Sequence, residues 1–163
     1  MSAHLYAALV YLHLLAALLW LGGMFFFALV GAPVLRAIDP PELRRRLFHD
    51  LGLGFRRAGW WAIGVLVLSG VGILHLRGVL RWSVLGDGPF WGTAFGRALA
   101  WKIALVGIML SVSLVHDFVT GPRAAVGGPE GERARRRSAL LARGNAVAGL
   151  LLVYWASRLA RGG

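Results

Sequence analysis

Apolar positions in this chain gather into four long runs separated by arginine-rich stretches. The first extends from Leu5 to Leu35 without a formal charge, and the second from Ala58 to Leu76, between Arg56-Arg57 and Arg77. The third begins at Ala98, contains Lys102 and runs to Asp117, and the fourth spans Ala139 to Ala160 with Arg143 and Arg158 near its ends. About 20 mostly apolar residues cross a hydrocarbon core of about 30 Å as a helix. Each run therefore predicts a membrane-spanning helix, over about 5–35, 58–76, 98–117 and 139–160. Arg143 and Arg158 fit because long basic side chains snorkel to the headgroups. The expected fold is all-α: a single integral membrane domain over 1–163, a four-helix bundle in up-down-up-down order. The first run is too long for a signal peptide and lacks a basic leading region, so it reads as a retained helix.

The connections predict orientation. The first holds Arg36, Arg44, Arg45, Arg46, Arg56 and Arg57, and the third holds Arg123, Arg133, Arg135, Arg136, Arg137 and Arg143. The middle connection has Arg77, Arg81 and Arg97, and the C-terminus has Arg158 and Arg161. Twelve arginines on one side against five on the other place both termini outside and the first and third connections in the cytoplasm. Asp39-Pro40-Pro41-Glu42 reads as a helix start, with Arg44 to Leu53 then lying along the membrane surface. Trp82, Phe90, Trp91 and Phe95 suit the outer headgroup level, and Gly127 to Gly131 reads as a flexible tip.

Composition agrees with this picture. Hydrophobic residues make up 58% of the chain, above the roughly 45–50% of soluble domains, and a small domain cannot bury that much apolar surface. The net charge of +11 would suggest nucleic acid in a soluble protein, but here the arginines flank apolar runs and match anionic lipid headgroups instead. Cysteine is absent, which removes disulfides, thiolate metal sites and a Cys nucleophile.

Polar groups inside lipid are costly, about 2.5–3.5 kcal/mol for a central Lys or Arg on insertion scales, so each one asks for a role. His13 lies about 12 Å below the outer end of its helix and Lys102 about 8 Å below the start of its own. His75 and Tyr154 also fall in the outer half, while His116 and Asp117 sit at the inner mouth. Leu9, His13, Ala16, Ala17, Trp20, Gly23 and Met24 share one helical stripe, rich in small residues that favour close helix contact. Gly64, Leu68, Val71, Gly72 and His75 form a second stripe, and Lys102, Met109, Ser113 and His116 a third. Neutral imidazole suits copper, zinc, nickel and haem iron, and thioether sulfur selects Cu(I). The metal-ligand candidates are His13, Met24, His75, Met109 and His116, and for a larger cofactor His13, His75, Lys102 and His116. No local pair has firm ligand spacing, so the residues also allow packed or interfacial histidines and, as a further alternative, a scaffold subunit without metal. Paired carboxylates, a Ser-His-Asp set and a phosphate-cradling loop are absent, and no residue is singled out as catalytic.

HLLAALLWLGGMFF, with a His, a Trp seven residues on and then Gly-Gly, resembles the first-helix signature of the copper-resistance protein D (CopD) family. WGTAFGRALAWKIALVGIML resembles that family's second signature through Gly92, Thr93, Gly96, Arg97 and Lys102. The last helix is similar too, though less distinctive. The resemblance implies copper handling in the bacterial inner membrane, with a copper ion held or passed through the helices. It implies a periplasmic copper carrier or a second copy of the chain as partner. His13 is then the central ligand, Met24 and Met109 are soft secondary sites, His116 an inner exit and His75 an outer-mouth ligand. Longer members carry further helices, and this sequence lacks a Met- or His-rich loop. His13 and Lys102 also resemble positions in membrane-embedded protoporphyrinogen oxidases. That resemblance implies haem b, for electron transfer or porphyrinogen oxidation, held by His13 with His75 or His116 and with a propionate paired to Lys102. An enzymatic activity would then be that of a haem-dependent oxidoreductase.

Overall fold

Helix α1, Ala3–Arg36, turns back into α2, Pro41–Leu76, in a computed structural model that describes residues 2–125 and 128–162. Two short helices follow, α3 at Trp82–Leu85 and α4 at Gly88–Gly92. The long helices α5, Ala94–Ala124, and α6, Gly128–Ala160, complete the described chain. No strand occurs among the described residues. The protein is all-α, and four of its helices are long and apolar enough to cross a membrane. It is a multi-pass membrane protein. The chain divides into two compact units, one up to Gly86 and one from Asp87 onward, each built on an antiparallel helix pair.

The long helices have 31 to 36 residues, or about 46 to 54 Å at 1.5 Å per residue, more than the hydrocarbon core requires. In α2 and α6 the excess lies in the arginine-bearing stretches, 44–57 and 133–143. Helix α2 starts where the sequence signals a start, with Pro41 leading and Glu42 in the first turn. It then runs without interruption to Leu76. Residues 44–53 are therefore part of the spanning helix and not a separate surface helix. No proline falls between Pro41 and Ala58, so the helical ladder continues, through Gly52 and Gly54 as well. Helix α6 also begins earlier than predicted: Gly128 to Gly131 form its first turn, with Gly128 at φ +80°, whereas Gly127 of the expected tip lies outside the described residues.

Helices α1 and α5 contain wider π-helical turns, at Leu18–Gly22, Phe27–Gly31 and His116–Thr120. The last two lie just before Pro33 and Pro122. A proline within a helix has no N–H for the carbonyl four residues back, and its ring crowds that carbonyl. A wider turn relieves the crowding without ending the helix.

Small residues set the packing in the first unit. Trp20 is buried against Gly59. A Cβ on Gly72 would meet Leu9 Cδ1 at 2.9 Å, and one on Gly23 would collide with the Phe55 ring. Phe27 and Phe48 meet edge to face, with ring centroids 6.2 Å apart. In the second unit, Trp101 stacks on Trp155 with centroids 5.9 Å apart. Asn145 Nδ2 donates to Ser113 Oγ at 3.3 Å, and Ser138 Oγ donates to Thr120 Oγ1 at 2.9 Å. These pairs run in opposite directions along α5 and α6, which fixes their antiparallel register.

Candidate functional site

His13 is the polar centre of the first unit. It lies half-buried on the stripe of α1 that packs on α2, as the small-residue pattern predicts. Its Nδ1 is 2.9 Å from Ser69 Oγ. Ser69 is 2% exposed, and its hydroxyl donates back to the Val65 carbonyl at 2.5 Å, with the Leu66 carbonyl at 3.3 Å. The neighbouring Gly70 leaves space for the imidazole: a Cβ there would stand 3.3 Å from His13 Cε1. Ser69 and Gly70 together form a seat for the ring. Sequence reading missed this seat, although a serine and a glycine side by side within an otherwise apolar run was a visible signal.

Met24 lies eleven residues further along α1, about 16 Å from His13 along the helix axis, and is half-buried. His75 is exposed at the end of α2. Of the stripe expected to carry it inward, only Gly72 meets α1, at Leu9; Gly64 is exposed, and Leu68 and Val71 are 75% and 51% accessible. Helix α2 instead turns Gly59, Ala62, Ile63 and Ser69 inward. Shape decides this. Trp20 and the His13 ring need the gaps at Gly59 and Gly70, and only that rotation of α2 supplies both.

In the second unit the expected face holds. Lys102 is half-buried, Met109 is fully buried, Ser113 bonds Asn145, and His116 is half-buried. His116 Nδ1 lies 2.9 Å from Asp117 Oδ1, at the start of the π-helical turn. Thr120 Oγ1 donates to the His116 carbonyl at 3.2 Å and receives the Ser138 hydroxyl, tying this turn to α6. Met109 and His116 stand about 10 Å apart along α5. Tyr154 is exposed and meets Trp155 edge to face. Among the described residues no group of three or more His, Cys, Asp or Glu side chains is placed to hold a metal ion.

The Gly-Thr-x-x-Gly-Arg stretch has a clear local role. Thr93 caps α5: its Oγ1 accepts the Gly96 N–H at 3.0 Å and its hydroxyl donates to the Phe90 carbonyl at 2.7 Å. Arg97 donates to the Gly92 carbonyl. A Cβ on Gly96 would collide with the Phe90 carbonyl oxygen and stand 2.9 Å from Trp91 Cα. The motif thus locks α4 onto the start of α5 and contributes fixed geometry at the head of the helix that bears Lys102.

The sequence pattern of the family described as "Copper resistance protein D" matches residues 51–159. The match includes the Gly92–Lys102 signature and begins beyond His13. A protein of Aquifex aeolicus described as uncharacterized is 28% identical over 152 residues, covering 93% of each chain. "Copper resistance protein D" of Pseudomonas syringae pv. tomato is 31% identical over 154 residues, 91% of this chain and 47% of its own length. This chain therefore spans about half of the Pseudomonas protein. No solved structure matches. With the family pattern extending over α2, α5 and α6, the chain belongs to the copper resistance protein D family.

Proposed function

We propose that this protein handles copper ions as cargo in the bacterial cytoplasmic membrane, with His13 as its principal ligand. Family membership carries this reading. The donor chemistry supports it: an imidazole seated between two helices, and thioether sulfurs at Met24 and Met109, are groups that Cu(I) accepts. His116 beside Asp117 in the second unit and His75 at the exposed end of α2 are further copper ligands in this reading. A periplasmic copper carrier or a second copy of the chain exchanges copper with it. The arginine-rich ends of α2 and α6 face the cytoplasm and bind anionic lipid, with both termini outside.

The test is metal content and absorption of protein purified in mild detergent after Cu(I) loading. The proposal expects bound copper that falls sharply in His13→Ala. Copper binding unchanged by that substitution, or a Soret band without copper, refutes it. Orientation is tested separately: alkaline phosphatase fused at the C-terminus is expected to be active, and a fluorescent cytoplasmic reporter at that end overturns the assignment.

A further inference from the structure

The Ser69 hydroxyl has one proton and three oxygen or nitrogen neighbours. Its Oγ lies 2.5 Å from the Val65 carbonyl oxygen, 3.3 Å from the Leu66 carbonyl oxygen and 2.9 Å from His13 Nδ1. A carbonyl oxygen cannot donate, so two oxygens at 2.5 Å require the serine proton between them. Serine within a helix commonly makes this bond to the carbonyl four residues back. The contact to His13 then has no serine proton left to use, and Nδ1 must supply its own. A neutral imidazole carries one N–H, so the other nitrogen, Nε2, bears the lone pair.

We propose that Ser69 is a positioning residue that holds His13 as the Nδ1–H tautomer, making Nε2 the nitrogen that meets the copper ion. The copper part of this statement rests on the function proposed above; the tautomer part does not. The arrangement has a clear chemical use. A metal-binding histidine needs its other N–H anchored, so that ring orientation and tautomer are set before the ion arrives. Usually a carboxylate or a backbone carbonyl does this. Here the Val65 carbonyl does it at one remove, through a hydroxyl on the facing helix. Being neutral, this relay adds no buried charge. Gly70 completes the seat, because a side chain there would press on Cε1, the carbon between the two nitrogens.

Metal-free protein labelled with ¹⁵N-histidine, in detergent micelles, tests the tautomer by long-range ¹H–¹⁵N correlation. The His13 signals are identified by their loss in His13→Asn. A protonated Nδ1 with an unprotonated Nε2 is expected, and a protonated Nε2 overturns the proposal whatever the copper result. Cu(I) competition with a chromophoric chelator then tests the positioning role. Ser69→Ala is expected to weaken copper binding about tenfold, within the range seen when such anchoring partners are lost. Ser69→Thr, which retains the hydroxyl and the back-bond, is expected to restore both the single tautomer and the affinity. Equal affinities in Ser69→Ala and Ser69→Thr refute the positioning role. Absence of copper binding in the unsubstituted protein, with the expected tautomer present, refutes the copper function and leaves the tautomer assignment standing.

Discussion

Gly96 and Gly107 lie on the same helix, and the structure predicts opposite responses to alanine. At Gly96 a Cβ would overlap the Phe90 carbonyl oxygen and approach Phe90 C and Trp91 Cα to 2.9 Å. These are backbone atoms, so no side chain can swing away. The start of α5 must shift from α4, which also loosens the Thr93 cap. Overpacking costs about 1–3 kcal/mol and a lost cap about 1 kcal/mol, against a gain of at most about 1 kcal/mol in helix propensity. Gly96→Ala is therefore expected to destabilise by roughly 1–3 kcal/mol. Gly107 is exposed, and a methyl group there would meet nothing within 4 Å, so Gly107→Ala keeps only the propensity gain, about 0.5–1 kcal/mol. Reversible unfolding in mixed micelles of mild detergent and dodecyl sulfate, followed by far-UV circular dichroism, measures both. A Gly96→Ala protein as stable as Gly107→Ala would refute the locking role given to the Gly-Thr-x-x-Gly-Arg stretch.

Further outcomes follow from the packing. Met109→Ala removes a side chain with no exposure and is expected to cost about 2–4 kcal/mol in the same unfolding assay, whereas Ile108→Ala, 55% exposed, is expected to cost much less. A double-mutant cycle on Asn145→Ala and Ser113→Ala should yield a coupling of about 0.6 kcal/mol, the usual size for a polar pair between membrane helices; additive single effects would contradict the contact. Trp20→Ala is expected to lose about 3–5 kcal/mol because the space beside Gly59 is left unfilled. A stability close to that of the unsubstituted protein would mean that α1 and α2 do not pack through this ring.

Four uncharged or nearly uncharged runs determined the all-α, four-span architecture from the sequence alone, because a backbone in lipid must satisfy its own hydrogen bonds. The stripe of α1 bearing His13 was legible too, since Ala16, Ala17 and Gly23 mark where another helix can approach. The face of α2 was not. In a membrane helix the lipid side is as apolar as the packed side, so periodicity does not say which stripe turns inward. Gly64-Leu68-Val71-Gly72-His75 and Gly59-Ala62-Ser69 are both plausible stripes by sequence; the fit of Trp20 and the His13 ring chose the second, and of the first only Gly72 meets α1. The lengths of α2 and α6 escaped sequence reading because arginines end an apolar run without ending a helix. The partner of His13 was likewise a tertiary matter: Ser69 is 56 residues away, and only the antiparallel return of α2 brings its hydroxyl to the imidazole.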